Sequence, residues 1–391
     1  MTPGGIAWDE ARLVAHRSAR RGAVRSVPLP QALGAVLAAP LVSQVSLPPA
    51  ACSAMDGFAV SGPGPWALLA AGPLRPGEAV PVVTGAPVPA GTTTVLPVED
   101  ATVDGVAVDG APDAAVAGAT LHGRVEPGRH IRPAGEECTA GDVVLPAGGR
   151  ATPAVLGLAA ALGYDAILVH RPPAVAALVT GDELAETGLP APGRTRDAIG
   201  PMLPGLVAAA GGRLIGAARV PDRSDAFRDA LATNPADLVL LSGASGKGPA
   251  DHLRSVLHDL GAELLVDGVA CRPGHPQTLA RLPGGRLLVG LPGNPFAALT
   301  AFLTLAVPAV AGFCGAPLPE LQKAPARGFA PHDHSHRVVP ARLVDGVAEP
   351  LDHRGPAMLR GVAAADCLAV VDPGTAGAVR LMGPGGTPWA G

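Results

Sequence analysis

Three cationic side chains stand near two glycine-rich stretches of the chain. Lys247 lies inside residues 242–248, and Arg272 and His275 precede a second such stretch at 292–294. Small residues let backbone N–H groups approach a ligand closely, and a helix N-terminus favours negative charge. These residue types in this order indicate a site for an anion such as phosphate. Ordinary turns explain either loop alone equally well, and the first loop lacks the glycine spacing of a Walker A motif.

Four carboxylates fall at predicted loop or helix-start positions of the same half of the chain. They are Asp182, Glu183, Asp197 and Asp251. Carboxylate oxygens are ligands that Mg²⁺ prefers, and cleavage of a phosphoanhydride needs a cation to neutralise charge on its oxygens. The set therefore fits metal-assisted phosphoryl chemistry. For each carboxylate alone, a helix cap or a solvated turn is the alternative.

Predicted strands position these residues. Apolar runs at 174–179, 238–241 and 287–291 each break into a polar or glycine-rich loop, as a buried strand does where it ends. Asn294 fits an N-cap and Pro295 the first position of a helix. Strands and helices that alternate in this way predict a doubly wound α/β unit around a parallel sheet. We expect its loops to meet at the carboxyl ends of the strands, where α/β folds bind ligands.

The other segments divide into helices and short strands. Apolar spacing predicts amphipathic helices at residues 6–16 and 29–42 and a further helix at 152–162. Residues 61–146 contain short apolar runs split by Gly and Pro, which is typical of a small β domain. Short strands return from Arg337 onward and predict a compact β domain at the C-terminus.

Composition and charge narrow the class of protein. The 391 residues are 48% hydrophobic and 16% charged, as in a globular chain with room for two to four domains. The formal net charge is −4 and Lys/Arg runs are absent from the sequence, so neither a nucleic acid nor a membrane surface is indicated as a partner. The five cysteines are widely spaced without a C-x-x-C pair. They predict reduced thiols and a cytoplasmic location.

One stretch is long and apolar enough to be weighed as a membrane span. Residues 296–313 carry no charge, but they open at an N-cap, contain Pro308 and lack flanking cationic clusters. We therefore predict a buried core helix. The first 25 residues are charged throughout, which predicts no signal peptide.

Three histidines alternate in the segment HDHSH. On a strand, His332, His334 and His336 would share one face and could bind zinc. The preceding Pro331 favours a flexible surface turn instead. The sequence leaves the role of this segment open.

Seven motifs in a fixed order resemble those of the molybdopterin molybdenumtransferases, the bacterial MoeA proteins, which are similar to the E domain of gephyrin. The likeness covers nearly the whole chain, and the order of the motifs is far more specific than any one of them. The motifs are SAMDGFAV (53–60), TGAPVP (84–89), RPAGEE (132–137), TGDEL (180–184), RPGHP (272–276), LPGNP (291–295) and MLR (358–360).

The resemblance implies an elongated homodimer of four-lobed subunits and a multidomain α/β fold. It implies a discontinuous N-terminal domain (1–45 and 130–170), an inserted β lobe (46–129), an α/β molybdopterin-binding domain (171–315) and a C-terminal β domain (318–391). Family members take adenylylated molybdopterin and molybdate, cleave the pyrophosphate link and release AMP, assisted by Mg²⁺. The adenylyltransferase of the same pathway is a further possible partner.

The resemblance also implies a role for individual residues. Asp182, Glu183 and Asp251 are expected to be catalytic, and Asp197 and Asp251 to bind the metal. Asp56 and Thr84 are expected to reach in from the partner subunit. The residues expected to bind the substrates are Asp56, Thr84, Ser242, Gly243, Lys247, Arg272, His275, Pro276, Pro292 and Asn294.

The chain departs from the family pattern around the expected molybdate site. Arg272 and His275 replace two lysines, and Pro356 replaces a common serine. Lys247, which the usual loop lacks, is a candidate replacement for a lost lysine. Two alternatives to an active molybdenumtransferase follow. One is a degenerate paralogue that binds the pterin nucleotide or a partner without turnover, and the other is a different nucleotide-cleaving enzyme, such as a nicotinamide-nucleotide deamidase, that shares the α/β lobe.

Overall fold

The helices and strands occupy three described stretches of the chain. The computed structural model describes residues 5–108, 117–243 and 252–383, so Lys247 and Asp251 lie outside the described residues. The helices are α1 Trp8–Ser18, α2 Pro153–Ala161, α3 Leu203–Ala210, α4 Ser224–Ala232, α5 Leu253–Asp259, α6 Pro295–Ala301, α7 Val307–Phe313 and α8 Arg360–Ala363. The strands of the first half are β1 Val24–Pro28, β2 Leu41–Val42, β3 Cys52–Ser53, β4 Gly57–Val60, β5 Trp66–Leu68, β6 Glu78–Val82, β7 Thr94–Pro97, β8 Thr102–Val103, β9 Val106–Ala107, β10 Thr120–His122, β11 Ile131–Arg132, β12 Val143–Leu145, β13 Ala166–His170, β14 Ala174–Val179, β15 Leu184–Ala185 and β16 Thr195–Arg196. Those of the second half are β17 Arg213–Arg219, β18 Leu238–Ser242, β19 Glu263–Asp267, β20 Cys271–Arg272, β21 Thr278–Arg281, β22 Leu287–Leu291, β23 Gln322–Pro325, β24 His336–Val344, β25 Val347–Pro350, β26 Cys367–Val371 and β27 Ala378–Met382.

A six-stranded sheet forms the centre of the α/β region. Its order is β17-β14-β18-β22-β21-β19. The first four strands are parallel, which confirms the sequence prediction for the strands that carry the loops. The pairs β21–β22 and β19–β21 are antiparallel and extend the sheet on one side. Every residue of β14, β18 and β22 is buried, as expected for strands covered by helices on both faces.

Helices cover this sheet from both sides. Apolar residues of α4 and α5, such as Phe227 and Val256, pack in one core cluster. Residues of α1, α3 and the chain from α6 to α7 form a larger cluster on the other face. Gly312 of α7 lets α1 approach closely, because a Cβ there would lie 2.2 Å from the carbonyl oxygen of His16. The N-terminal helix is therefore part of the α/β core.

The predicted core helix is continuous from Pro295 to Phe313 and wholly buried. A five-residue π-helical segment, Phe302–Ala306, joins α6 to α7. Pro308 is the second residue of α7, two positions after this segment. Proline lacks an N–H group and clashes with the carbonyl four residues earlier in a regular helix, so the wider π turn provides the space that Pro308 needs.

Residues 29–42 do not form the predicted helix. They hold a short 3₁₀ turn at Leu29–Gln31 and the two-residue strand β2. Pro30, Gly34 with its φ of +77°, and Pro40 interrupt the apolar spacing that suggested a helix. β2 pairs with β12, and β1, which directly precedes residues 29–42, pairs with β13. Strands that lie more than a hundred residues later therefore hold this part of the chain.

The inserted segment folds as a seven-stranded sheet in the order β7-β4-β6-β5-β10-β8-β9. Phe58, Trp66, Leu96 and Leu121 are its largest fully buried side chains. This agrees with the β pattern that the sequence predicts for residues 61–146.

The C-terminal sheet has the order β20-β24-β26-β27-β23, and β25 pairs with β24. Its first strand, β20, comes from the α/β part of the sequence. It pairs in parallel with β24, with Cys271 opposite His336 and Arg272 opposite Arg337. This pairing joins two parts of the chain that the sequence assigns to separate domains, and it brings the RPGHP motif to the C-terminal sheet.

Candidate functional site: a cationic cavity and a carboxylate edge

A cavity of about 760 Å³ lies where β20 meets the C-terminal sheet. Five residues that the sequence predicts to bind substrates line it together: Arg272, His275, Pro276, Pro292 and Asn294. Its volume is in the range of about 300–1,000 Å³ that is usual for small-molecule sites. The structure therefore brings the RPGHP and LPGNP motifs to one place.

Most of the remaining lining of the cavity comes from the C-terminal domain. It contributes His332, Ser335, Arg337 and Arg354, which the sequence did not single out as binding residues. Among the described residues that line the cavity, none is acidic. Three guanidinium groups without a competing carboxylate form a strong site for an anion, because a guanidinium donates paired hydrogen bonds to the oxygens of phosphate or a similar group.

His275 is held in one tautomer. Its Nδ1 lies 2.9 Å from the carbonyl oxygen of Val269. Because a carbonyl only accepts, Nδ1 carries the hydrogen. Neutral His275 then presents the lone pair of Nε2, and it can donate a second hydrogen bond only as the imidazolium. A lysine, by contrast, is a donor at every pH near neutrality.

The N-terminus of α6 is occupied by the protein itself. The backbone N–H groups of Phe296 and Ala297 donate to the carbonyl oxygen of Pro356, at 3.0 and 3.1 Å. Asn294 does take the N-cap position, but its side chain makes no capping hydrogen bond. The first turn of α6 is therefore a joint between the two domains, and the sequence-based picture of free N–H groups for an anion is wrong here. The guanidinium groups supply the positive charge instead.

Cys271 lines the same cavity but is not a reactive thiol. The Nε2 of Gln277 donates to its Sγ at 2.9 Å, and burial raises the pKa of Cys271 to about 12. A thiolate is the nucleophilic form, so this side chain is inert near neutral pH. All five cysteines are free and buried, in agreement with the prediction of reduced thiols.

A second set of charged residues lies at the carboxyl edge of the six-stranded sheet. Asp182 and Glu183 are exposed after β14, and the backbone N–H of Asp222 lies 3.4 Å from Oδ1 of Asp182. Burial raises the pKa of Asp222, and the negative charges of Asp182 and Glu183 raise it further. Arg219 anchors the loop by donating to the carbonyl oxygen of Gly181 at 2.8 Å. We call Asp182, Glu183 and Asp222 the carboxylate edge.

Sequence reasoning missed Asp222. It follows the edge strand β17, whose exposed residues do not read as a buried apolar run. The only available signal was its place between a strand and helix α4, in the same kind of loop that holds Asp182 and Glu183.

Asp197 takes a capping position at the start of the helical segment that leads to α3. Its Oδ1 accepts the N–H groups of Ile199 and Gly200, each at 2.9 Å. This is the cap that the sequence left open as the alternative to a metal ligand. The described residues contain no group of three or more His, Cys, Asp or Glu side chains in metal-binding geometry, and Asp251 lies outside them.

The two glycine-rich loops meet, as predicted for adjacent parallel strands. The N–H of Gly243 donates to the carbonyl oxygen of Leu291 at 3.0 Å. Gly243 has a φ of +84°, and a Cβ there would lie 2.6 Å from Oγ1 of Thr180, so only glycine fits. Ser242 is buried as the last residue of β18, and its carbonyl accepts from Thr180. It is placed to shape the loop.

Asp56 and Thr84 face each other in the inserted β lobe. The N–H of Thr84 donates to Oδ1 of Asp56 at 2.6 Å. This bond, with a second from the Thr84 hydroxyl, lowers the pKa of Asp56. Neither residue lines the cavity of its own chain.

The HDHSH segment is divided among three environments. His332 lines the cavity, His334 is exposed, and His336 is buried as the first residue of β24. The three imidazoles therefore do not form a zinc site, and only the first part of the segment is the predicted surface turn.

Comparisons with known proteins place the fold. Family models described as "MoeA N-terminal region (domain I and II)", "Probable molybdopterin binding domain" and "MoeA C-terminal region (domain IV)" match residues 6–163, 176–312 and 325–380. A Mycobacterium tuberculosis protein named molybdopterin molybdenumtransferase 2 is 35% identical over 313 residues, which are 75% of this chain and 76% of that protein. The chain belongs to the molybdopterin molybdenumtransferase family.

Further relatives agree with this assignment. A molybdopterin molybdenumtransferase of Haemophilus influenzae is 35% identical over 193 residues, which are 49% of this chain and 47% of that protein. The crystal structure of a Pyrococcus horikoshii MoeA protein superposes with a TM-score of 0.76 at 22% identity, and covers 96% of this chain and 99% of that one. The multidomain α/β fold predicted from the motifs of this family is confirmed.

Proposed function

We propose that this molybdenumtransferase family member inserts molybdate into adenylylated molybdopterin and releases AMP. The observation that carries the proposal is the cavity beside β20 and β24, which Arg272, Arg337 and Arg354 line without a carboxylate among the described lining residues. Molybdate is a tetrahedral dianion, and such a guanidinium set suits it. Water breaks the P–O–P link, so that AMP leaves and the pterin keeps its phosphate. The two dithiolene thiols replace one oxo group of molybdate, which leaves as water with their two protons.

In this proposal the cavity holds the oxyanion. Arg272 and Arg337 donate to it side by side from the paired strands β20 and β24, and His275 adds a third donor when it is protonated. Pro276, Pro292 and Asn294 shape the floor between these donors. Lys247, outside the described residues, is proposed to reach the same anion.

We propose that Mg²⁺ binds at the carboxylate edge. Burial raises the pKa of Asp222, and the negative charges of Asp182 and Glu183 raise it further, so a divalent cation would relieve the repulsion among the three carboxylates. Asp251 and Oδ2 of Asp197, whose Oδ1 is occupied by two N–H groups, would hold the metal, and Asp182, Glu183 and Asp222 would act on it through its bound water. Bound there, Mg²⁺ would neutralise charge on the phosphoanhydride.

We also propose a homodimer. Asp56 and Thr84 lie in the inserted lobe and do not line their own cavity, so a second copy would have to supply them. Val24 of β1 and Leu168 of β13 lie on the same face of these paired strands and have 53% and 46% of their surface exposed, so they form an apolar patch that a partner would cover. Light scattering tests this proposal. A strict monomer at micromolar concentration removes the proposed role of Asp56 and Thr84.

The substrate itself points to a partner. An adenylylated pterin must come from an adenylyltransferase, and we propose that this enzyme delivers it to the chain in the cytoplasm.

Complementation of a host that lacks its molybdenumtransferase tests the main proposal. We expect this chain to restore the activity of molybdenum enzymes at low external molybdate, and the double variant Arg272→Ala with Arg337→Ala to fail. A folded, abundant chain that fails at both low and high molybdate would instead support the degenerate paralogue that binds without turnover.

A further inference from the structure

A cluster of charged side chains joins α1 to the C-terminal sheet. Arg380 of β27 donates from Nη1 to Oδ1 of Asp9 at 2.6 Å and from Nη2 to Oδ1 of Asp372 at 2.5 Å. The Nε2 of His336 lies 3.3 Å from Oδ1 of Asp372 and 3.7 Å from Oδ2 of Asp9. We call Trp8, Asp9, His336, Asp372 and Arg380 the α1 clamp.

Trp8 lies at the centre of the α1 clamp and is completely buried. The guanidinium carbons of Arg12 and Arg380 lie 4.8 and 5.1 Å from its ring centre, and the His336 ring centre is 5.6 Å away. Two cations that pack on one indole ring stabilise the contact between α1 and the sheet.

The surroundings of His336 favour its neutral form. Nε2 faces the two carboxylates, whereas Nδ1 is buried without a hydrogen-bond partner in the described residues. A second proton would therefore create a buried donor without an acceptor. The charged groups around the Trp8–His336 pair are Asp9 and Arg12 of α1, Asp372 after β26, and Arg380 of β27. Burial lowers the pKa of His336, and the charge of Arg380 opposes the two carboxylates that raise it.

Two paths connect the α1 clamp to the cationic cavity. The N–H of His336 donates to the carbonyl oxygen of Ala270 at 2.9 Å, beside the residue pair Arg272 and Arg337. Since side chains alternate across a strand, His336 points to α1 while its neighbours Ser335 and Arg337 line the cavity.

The second path runs through the core helix. Nε1 of Trp8 donates to Oγ1 of Thr304 at 2.9 Å, Thr304 donates to the carbonyl oxygen of Thr300, and Thr300 donates to that of Phe296. Phe296 lies in the first turn of α6 between the lining residues Asn294 and Ala297, where the carbonyl oxygen of Pro356 caps the helix.

We propose that His336 is a positioning residue for the anion site. Through the α1 clamp it holds β24 against β20 and so fixes the spacing between the paired residues Arg272 and Arg337 at the cavity. That the anion is molybdate rests on the proposed function, whereas the role of the clamp does not.

The test compares His336→Gln with His334→Gln, which removes an exposed histidine from the same segment. We expect His336→Gln to weaken molybdate binding to the full chain, measured by calorimetry, about fivefold to tenfold, which is the effect of roughly 1 kcal/mol. His334→Gln should bind as the parent does. Asp9→Asn, a milder change on the exposed side of the clamp, should weaken binding in the same direction if His336→Gln folds poorly.

Tryptophan fluorescence reports the clamp without any anion. A protonated imidazole quenches a neighbouring indole, so the emission of Trp8 should fall as His336 gains its proton at acid pH. The step should disappear in His336→Gln and in Trp8→Phe and persist in His334→Gln. Native-state hydrogen exchange of residues 270–273 should be faster in His336→Gln.

The outcomes separate the two proposals. Unchanged molybdate affinity and unchanged exchange at 270–273 in both His336→Gln and Asp9→Asn overturn the positioning role, even if the parent chain is an active molybdenumtransferase. If the parent binds no molybdate, the proposed function fails, and hydrogen exchange at 270–273 then decides the positioning role alone.

Discussion

The cationic cavity and the carboxylate edge carry opposite charge within one chain. The cavity has guanidinium groups from β20, β24 and the loop at Arg354, whereas the edge has Asp182, Glu183 and Asp222 beside β14 and β17. Both regions lie at the carboxyl edge of the parallel strands: the carboxylate edge follows β14, whereas the cavity includes Pro292 and Asn294 after β22 together with residues of the C-terminal domain. The difference in charge suits a substrate with two different demands: a dianion to be captured and a phosphoanhydride to be cleaved with a cation. If the two regions act separately, a variant in one of them should leave the ligand requirement of the other unchanged.

The largest effect is expected in the cavity. Arg272→Ala should raise the molybdate concentration needed for activity about tenfold to a hundredfold, because a hydrogen bond to a charged group contributes about 1.5–3 kcal/mol. Enzyme assays at a series of molybdate concentrations measure it, with Arg213→Ala, an exposed arginine of β17, as the control. A change in the Mg²⁺ requirement instead of the molybdate requirement would contradict the separation of the two regions.

The contrast between these regions was only partly predictable from the sequence. β14, β18 and β22 are uninterrupted apolar runs, and burial on both faces gives such runs a clear signal. The helix from Pro295 to Phe313 was predictable for the same reason. The helix predicted for residues 29–42 was wrong. Their apolar spacing is helical, but Pro30, Gly34 and Pro40 prevent a continuous helix.

The lining residues that come from the C-terminal domain could not be predicted from the sequence. Arg337 and Arg354 reach the site only because β20 pairs with β24, a contact between residues that lie more than 60 positions apart. The carbonyl oxygen of Pro356 caps α6. Because every residue has a carbonyl, the type of side chain at position 356 does not indicate this role. Asp222 was hidden for a related reason, since the exposed strand before it lacks an apolar pattern.

A smaller effect is expected at the carboxylate edge. Asp222→Asn should raise the Mg²⁺ concentration needed for activity about tenfold, while the molybdate requirement stays the same. Asp229→Asn is the matched control, because Asp229 is an exposed carboxylate on α4, the helix that follows Asp222. A molybdate effect from Asp222→Asn would mean that the two regions act on one group of the substrate.

The same variant should also stabilise the fold. The pKa of Asp222 is raised in the folded chain, so the folded state holds this proton more tightly than the unfolded state and loses stability as pH rises past the ordinary carboxyl range. Removal of the charge should therefore raise the midpoint of thermal unfolding at pH 7, and the gain should vanish near pH 3. An equal gain at both pH values would show that repulsion among the carboxylates is not its cause.

The smallest effect concerns the donors of the cavity, and the carboxylate edge should not share it. With Nδ1 bound to Val269, neutral His275 offers Nε2 only as an acceptor and adds no donor for molybdate. His275→Lys should therefore lower the molybdate requirement a few-fold, because a lysine adds a charged donor, whereas Lys247→Ala should raise the requirement. Assays at fixed Mg²⁺ measure both, and the Mg²⁺ requirement should follow neither variant. A molybdate requirement that is unchanged in both variants would show that the oxyanion binds elsewhere. The replacement of two lysines by Arg272 and His275 would then be better explained by a chain that no longer inserts the metal.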